Sequence, residues 1–155
     1  MNEWLPRWSK PGSMRQAALV GGILAALQES AVNDAEIYDA KCQAPSQYAP
    51  LFDASTCGPR KAYWAFAAFN ELRKLGTSVR SSSSSPDVAV TAAVGPDGKS
   101  GAILIANVGK DAEVKLELGG RKIVKCRVID GMHDLAEATL PAVIPADTVW
   151  LLEVR

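Results

Sequence analysis

Carboxylates are the side chains of this sequence best placed to do chemistry. Glu3 stands between Asn2 and Trp4, and Asp34, Glu36 and Asp39 crowd one short stretch that also holds Ile37 and Tyr38. A carboxylate at the C-terminal end of a strand can attack as a nucleophile or carry a proton, because α/β folds build their sites in the loops beyond strand ends. Taken alone, such acids are more often solvated or structural. His133 is the single histidine and lies in the turn-like run Asp130, Gly131, Met132, His133, Asp134. A metal site built on several histidines is thereby excluded, and an imidazole relay would rest on that one loop residue. Cys42, Cys57 and Cys126 form no C-x-x-C pair, and an odd count is no disulfide framework. Cys42 and Cys57 bracket a loop and would pair only in an exported chain; separate thiols are the expectation. No metal or cofactor is expected.

The elements that must position these groups fall into two kinds. Residues 1–76 are rich in alanine and aromatics, whereas residues 87–155 are rich in Val, Ile, Leu and Lys with glycine punctuation. Ser13 is placed to cap a helix that runs to about Gln28, small and apolar on most faces, with Gly21 and Gly22 implying close approach of a neighbouring element. The acidic stretch at 34–39 reads as a buried strand ending at Asp39, and residues 41–60, with Pro45, Pro50, Gly58 and Pro59, as a long loop. Residues 61–75 repeat Ala62, Ala65, Phe66, Phe69, Leu72 and Leu75 at helical spacing, with Gly76 as the stop. Tyr63, Trp64, Phe66 and Phe69 are expected in the core. Residues 77–86, containing five consecutive serines, read as a linker. Beyond them the period becomes two: strands are expected over 87–94, 102–108, 112–118, 122–129 and 148–154, as a half-buried antiparallel sheet folded into a small sandwich.

Charge and hydropathy exclude some partners. The chain carries 17 basic and 17 acidic residues, interspersed, so no electrostatic footprint for nucleic acid or anionic lipid exists. Residues 17–27 are apolar but shorter than the roughly 20 residues of a membrane span. Arg7, Lys10 and Arg15 lend the first 30 residues some likeness to an export signal, an alternative that would leave a smaller mature domain. Glu3, Trp4, Pro6, Trp8 and Pro11 argue against it, and a buried helix is the expectation.

Three phrases set this pattern in a known context: N-E-W at 2–4, A-E-I-Y-D-A at 35–40, and Y-A-P-L-F-D at 48–53 with G-P-R-K-A-Y-W-A-F-A-A-F-N-E-L at 58–72. Together they resemble the end of a clan A glycoside hydrolase, most closely family 39, the β-xylosidase and α-iduronidase type. The resemblance implies that residues 1–76 are the C-terminal remnant of a (β/α)₈ barrel: the end of strand seven at Glu3, helix seven at 13–29, strand eight at 34–39 and helix eight at 61–75. Glu3 would be the catalytic nucleophile, with Asn2, Trp4, Tyr38 and Asp39 near the sugar. G-A-I-L-I-A-N at 101–107 and V-I-D-G-M-H-D-L at 128–135 are similar to the C-terminal β-sandwich of such enzymes, making 87–155 that domain. The implied fold class is thus an α/β barrel fragment plus an all-β antiparallel sandwich. Leu5 departs from the usual Asn, and Ala49-Pro50 from the usual Gly-Gly.

The resemblance also implies an incomplete site. A retaining mechanism needs two carboxyl groups about 5–5.5 Å apart, and the acid/base glutamate of these enzymes lies on strand four. A full barrel takes about 250 residues. A β-xylosidase-like C-terminal fragment, inactive alone and acting on an oligo- or polysaccharide only in a full-length context, is therefore expected, with self-association through exposed barrel edges. The alternative is a non-catalytic structural or carbohydrate-binding sandwich, although Trp150 is the only aromatic residue beyond residue 80.

Overall fold

The computed structural model describes residues 3–4, 6, 9–37, 40 and 51–155. It begins with a strand–helix–strand unit. Strands β1 (Glu3–Trp4) and β2 (Glu36–Ile37) run parallel, Glu3 opposite Glu36 and Trp4 opposite Ile37. Parallel neighbours need a crossover, and helix α1 (Met14–Gln28) supplies it. The Ser13 hydroxyl accepts from the Gln16 N–H at 3.2 Å, filling one of the open donors of the first turn. Helix α2 (Lys61–Leu75) stops at Gly76, whose φ of 92° is the left-handed cap that only glycine adopts cheaply.

The rest of the chain supplies β3 (Thr77–Val79), β4 (Val88–Val94), β5 (Gly101–Asn107), β6 (Ala112–Glu113), β7 (Ile123–Ile129), β8 (Asp134–Glu137), β9 (Val143–Ile144) and β10 (Thr148–Val154). Six of them form one antiparallel sheet in the order β3-β4-β5-β10-β7-β8, while β6 and β9 pair separately. Strand β10 is thus central, between β5 and β7.

Period-two alternation gives the sheet two faces. Ala93, Ala102, Leu104, Ala106, Ile129, Val149 and Leu151 face α1 and α2, meeting Ala17, Ala18, Val20, Ala62, Ala65, Ala68 and Leu72 in one buried cluster. Small residues dominate this layer, so helix and strand backbones approach closely. At Gly21 a Cβ would lie 3.0 Å from Ala106 Cβ and 3.4 Å from Val149 Cγ2, which explains why glycine occupies a helix interior. On the outer face, Ile105, Val128, Trp150 and Leu152 pack with Ile144 and are covered partly by Val114, Leu116, Ala138 and Leu140. Buried Asn107 ties the layers: its Nδ2 donates to the carbonyls of Lys110 at 2.8 Å and of Ile144 and Pro145 at 3.1 Å.

Three expectations change. The strand expected over 112–118 pairs only at Ala112–Glu113, with Val114 N donating to Ala142 O at 2.9 Å. The remainder alternates in exposure, with Val114, Leu116 and Leu118 part-buried and Lys115 and Glu117 exposed, and has no ladder among the described residues. The segment read as a linker opens with β3, an edge strand on β4. Strands β8 and β9 were not expected at all, being four and two residues long. The run at 17–27 is a core helix, and no helix among the described residues is long and apolar enough to cross a membrane.

Candidate functional site

Glu3 and Trp4 sit on β1 directly beside Glu36 and Ile37 of β2, so the strand–helix–strand unit brings the first and second acidic stretches together through backbone pairing. Glu36 and Asp34 are exposed, whereas Ile37 packs against the helix-side core. Asn2, Tyr38 and Asp39 lie outside the described residues, and Glu3 is placed by its backbone alone.

The ring of Trp4 stacks on Phe66 with centroids 6.0 Å apart and planes 25° from parallel. Phe66 belongs to a run of aromatics on α2, in which Tyr63 meets Phe52 at 5.5 Å and Trp64 edge-on at 5.2 Å. These rings pack against the core as expected from the sequence. The indole nitrogens of Trp4 and Trp64 are buried and find no hydrogen-bond acceptor among the described residues.

The loop before α2 is fixed by Asp53, which sequence reasoning passed over. Its Oδ1 accepts from the Ser55 hydroxyl at 2.6 Å and from the Ser55 and Thr56 N–H groups at 3.0 Å, and its Oδ2 from Arg60 Nη2 at 3.0 Å. The Ser55 hydroxyl, then the Thr56 N–H and the Arg60 guanidinium, hold the carboxyl well below the usual range. The D-x-S-T spacing at 53–56 is a signal that would have revealed this turn. The Arg60 side chain also packs across Gly12, where a Cβ would meet its Cδ at 3.0 Å, locking the α1 entrance to the α2 entrance.

His133 is a turn residue. Its Nδ1 lies 2.9 Å and 3.0 Å from the two oxygens of Asp130, and Lys61 Nζ bridges the His133 carbonyl at 3.1 Å and Asp134 at 2.7 Å. Partial burial pushes the Asp130 carboxyl up, but the His133 ring and the N–H groups of Met132 and His133 outweigh it and leave it lowered. This cluster fastens the β7–β8 turn to the start of α2. Cys126 is half-buried and its thiol is pushed up to about 11 by burial, so it is a poor nucleophile. Cys57 is exposed, and Cys42 lies outside the described residues. Among the described residues no group of three or more His, Cys, Asp or Glu side chains could hold a metal. Trp150 is 5% exposed and donates to Thr148 Oγ1 at 3.0 Å, so the sheet offers sugars no exposed aromatic platform.

Solved structures share this fold. A glycoside hydrolase family 30 subfamily 8 xylanase from Clostridium acetobutylicum aligns over 99% of this chain with a TM-score of 0.72 and 16% identity. A glucosidase from Croceicoccus marinus aligns over 99% at TM-score 0.72 and 14% identity, and an α-L-arabinofuranosidase from Thermotoga maritima over 98% at TM-score 0.64 and 14% identity. The chain shares a glycoside hydrolase fold and spans 41%, 45% and 42% of these three chains. No protein-family model matches the sequence. No curated protein matches it either.

Proposed function

We propose that this chain forms the C-terminal part of a retaining glycoside hydrolase acting on O-glycosidic bonds, with β-xylosides as the substrate class. In this reading β1–α1–β2–α2 is the last part of a (β/α)₈ barrel, and the sandwich domain begins at β3, with residues 80–87 connecting β3 to β4 and the helices packed on its inner face. The observation that carries it is the parallel pairing of Glu3–Trp4 with Glu36–Ile37 across α1, in a chain that aligns almost end to end with glycoside hydrolases. Glu3, placed on β1 by its backbone, is then the nucleophile, and Asn2, Trp4, Tyr38 and Asp39 are the residues proposed to meet the sugar.

Chemistry demands more than Glu3. The nucleophile attacks the anomeric carbon while a second carboxyl group about 5–5.5 Å away protonates the leaving oxygen. That second group belongs to barrel strands outside this chain, and the single-sided pairing of β1 and β2 among the described residues supports completion by further strands, or by self-association in their absence. Residues 1–155 incubated with 4-nitrophenyl β-xyloside should release no nitrophenol above the buffer rate. Turnover that Glu3→Gln abolishes would contradict the claim of incompleteness while supporting the nucleophile; turnover that survives Glu3→Gln would remove Glu3 from the mechanism.

A further inference from the structure

Among the described residues, the outer face of the six-stranded sheet is not fully covered. Between the serine tract and the segment following β6 lie two adjoining hollows, of about 370 Å³ and about 670 Å³, that share Ser82, Ser84, Val90, Lys115 and Leu116. Their floor is apolar, with Val88, Val90, Ile103 and Ile105 from β4 and β5. One wall is the serine tract. The other is residues 114–118, where Val114, Leu116 and Leu118 turn inward and Lys115 and Glu117 outward.

That second wall has the side-chain pattern of a strand and no strand beside it. The ladder with β9 ends at Glu113, and the backbone of Lys115, Leu116 and Glu117 has no ladder partner among the described residues. A row of unpaired N–H and C=O groups is satisfied by one kind of macromolecular ligand above others, an extended polypeptide. Charge narrows the choice. Around the two hollows stand Arg80, Lys115 and Arg121 against two carboxylates, Glu113 and Glu117, and none of the three cations is in an ion pair among the described residues. Arg121 spends one donor on the Gly98 carbonyl, at 3.0 Å, and keeps the rest of its guanidinium for a partner.

We propose that this groove binds an extended acidic peptide, which adds a strand beside residues 114–118, lays its apolar side chains on Val90 and Ile103, and presents its carboxylates to Arg80, Lys115 and Arg121. Positions 114–118 run about 13 Å at the rise of a strand, enough to pair five residues of the ligand. The groove's lack of aromatic rings disfavours an acidic polysaccharide, which would want stacking surfaces.

The test uses a fluorescent peptide of about ten residues alternating Val and Glu, long enough to overrun the groove, followed by anisotropy at low salt with the whole chain. Binding should weaken by at least about tenfold when Lys replaces Glu in the peptide, when alternate peptide nitrogens are methylated, or when the protein carries Lys115→Glu with Arg121→Glu. A thermal melt matching the parent confirms that the double variant is folded. Equal affinity for the methylated peptide would overturn strand addition, since charge alone would then hold the ligand. The proposal also fails if polygalacturonate displaces the peptide and binds more tightly, or if sedimentation shows a dimer that Leu116→Glu dissolves, because the occupant would then be an acidic sugar or a second copy.

Discussion

The six-stranded sheet and the β1–β2 pair differ in how completely they are built. The six-stranded sheet pairs β5 and β10 along seven residues each and buries Leu104, Leu151 and Leu152 completely. The β1–β2 pair joins two residues to two. A lone two-stranded element is marginal in water, so the acidic strand ends rest on α1 and α2, whose alanine faces are in turn held by the large sheet. The region that would do chemistry is the less self-sufficient one. Its geometry is borrowed from a core in which it has a small share, and that is the property expected of a site completed by further strands.

Substitutions should separate the two regions. Gly21→Val should do most harm: a Cβ there already reaches 3.0 Å from Ala106 Cβ, and two further methyls would force α1 off the sheet. A loss of about 3 kcal/mol or more, at the upper end of overpacking costs, should show in urea unfolding. Leu151→Ala, on the central strand, should cost about 2–5 kcal/mol by the same assay, the range for a buried leucine cavity. Ile37→Ala on β2, only part-buried, should cost less than about 1.5 kcal/mol. Equal losses for Leu151→Ala and Ile37→Ala would erase the contrast between the sheets.

Smaller effects sharpen it at the junction. Asp53 has a carboxyl lowered by Ser55, Thr56 and Arg60, so its contribution is complete above the ordinary carboxylate range and disappears as pH falls through its lowered value. Asp53→Asn should therefore lower the melting temperature at pH 7 and flatten the acid side of the stability profile. Lys61→Ala breaks a pair with half-exposed Asp134 and should change stability by no more than about 1 kcal/mol.

Much of the local structure was legible in the sequence. Gly76 marks the end of α2 and Ser13 the start of α1 because each supplies a backbone need that its neighbours cannot. Strands β4, β5, β7 and β10 follow from short apolar runs bounded by turn residues, and β5 and β10 are buried on both faces. Order in the sheet was not legible: nothing local to residues 148–154 says that they lie between β5 and β7, since that pairing is decided by which apolar faces are still open. The segment 114–118 misled for a related reason, as alternation records what is buried and is silent about what is paired. At the candidate site, Trp4 was legible as an aromatic beside an acid, but its stack on Phe66, 62 positions away, depends on the packing of α2. The Asp53 turn was written in D-x-S-T and overlooked in favour of the longer loop around it.

Residue-resolved hydrogen exchange under native conditions tests the contrast most directly, since it reads the opening free energy of each paired amide. The account expects Leu104 and Leu151 to exchange only by global unfolding, and the β1–β2 amides at Trp4 and Ile37 to exchange orders of magnitude faster through local opening. Protection at Trp4 and Ile37 equal to that at Leu151 would show that the candidate site is as complete as the sheet that supports it, and would contradict the reading of this chain as part of a larger glycosidase site.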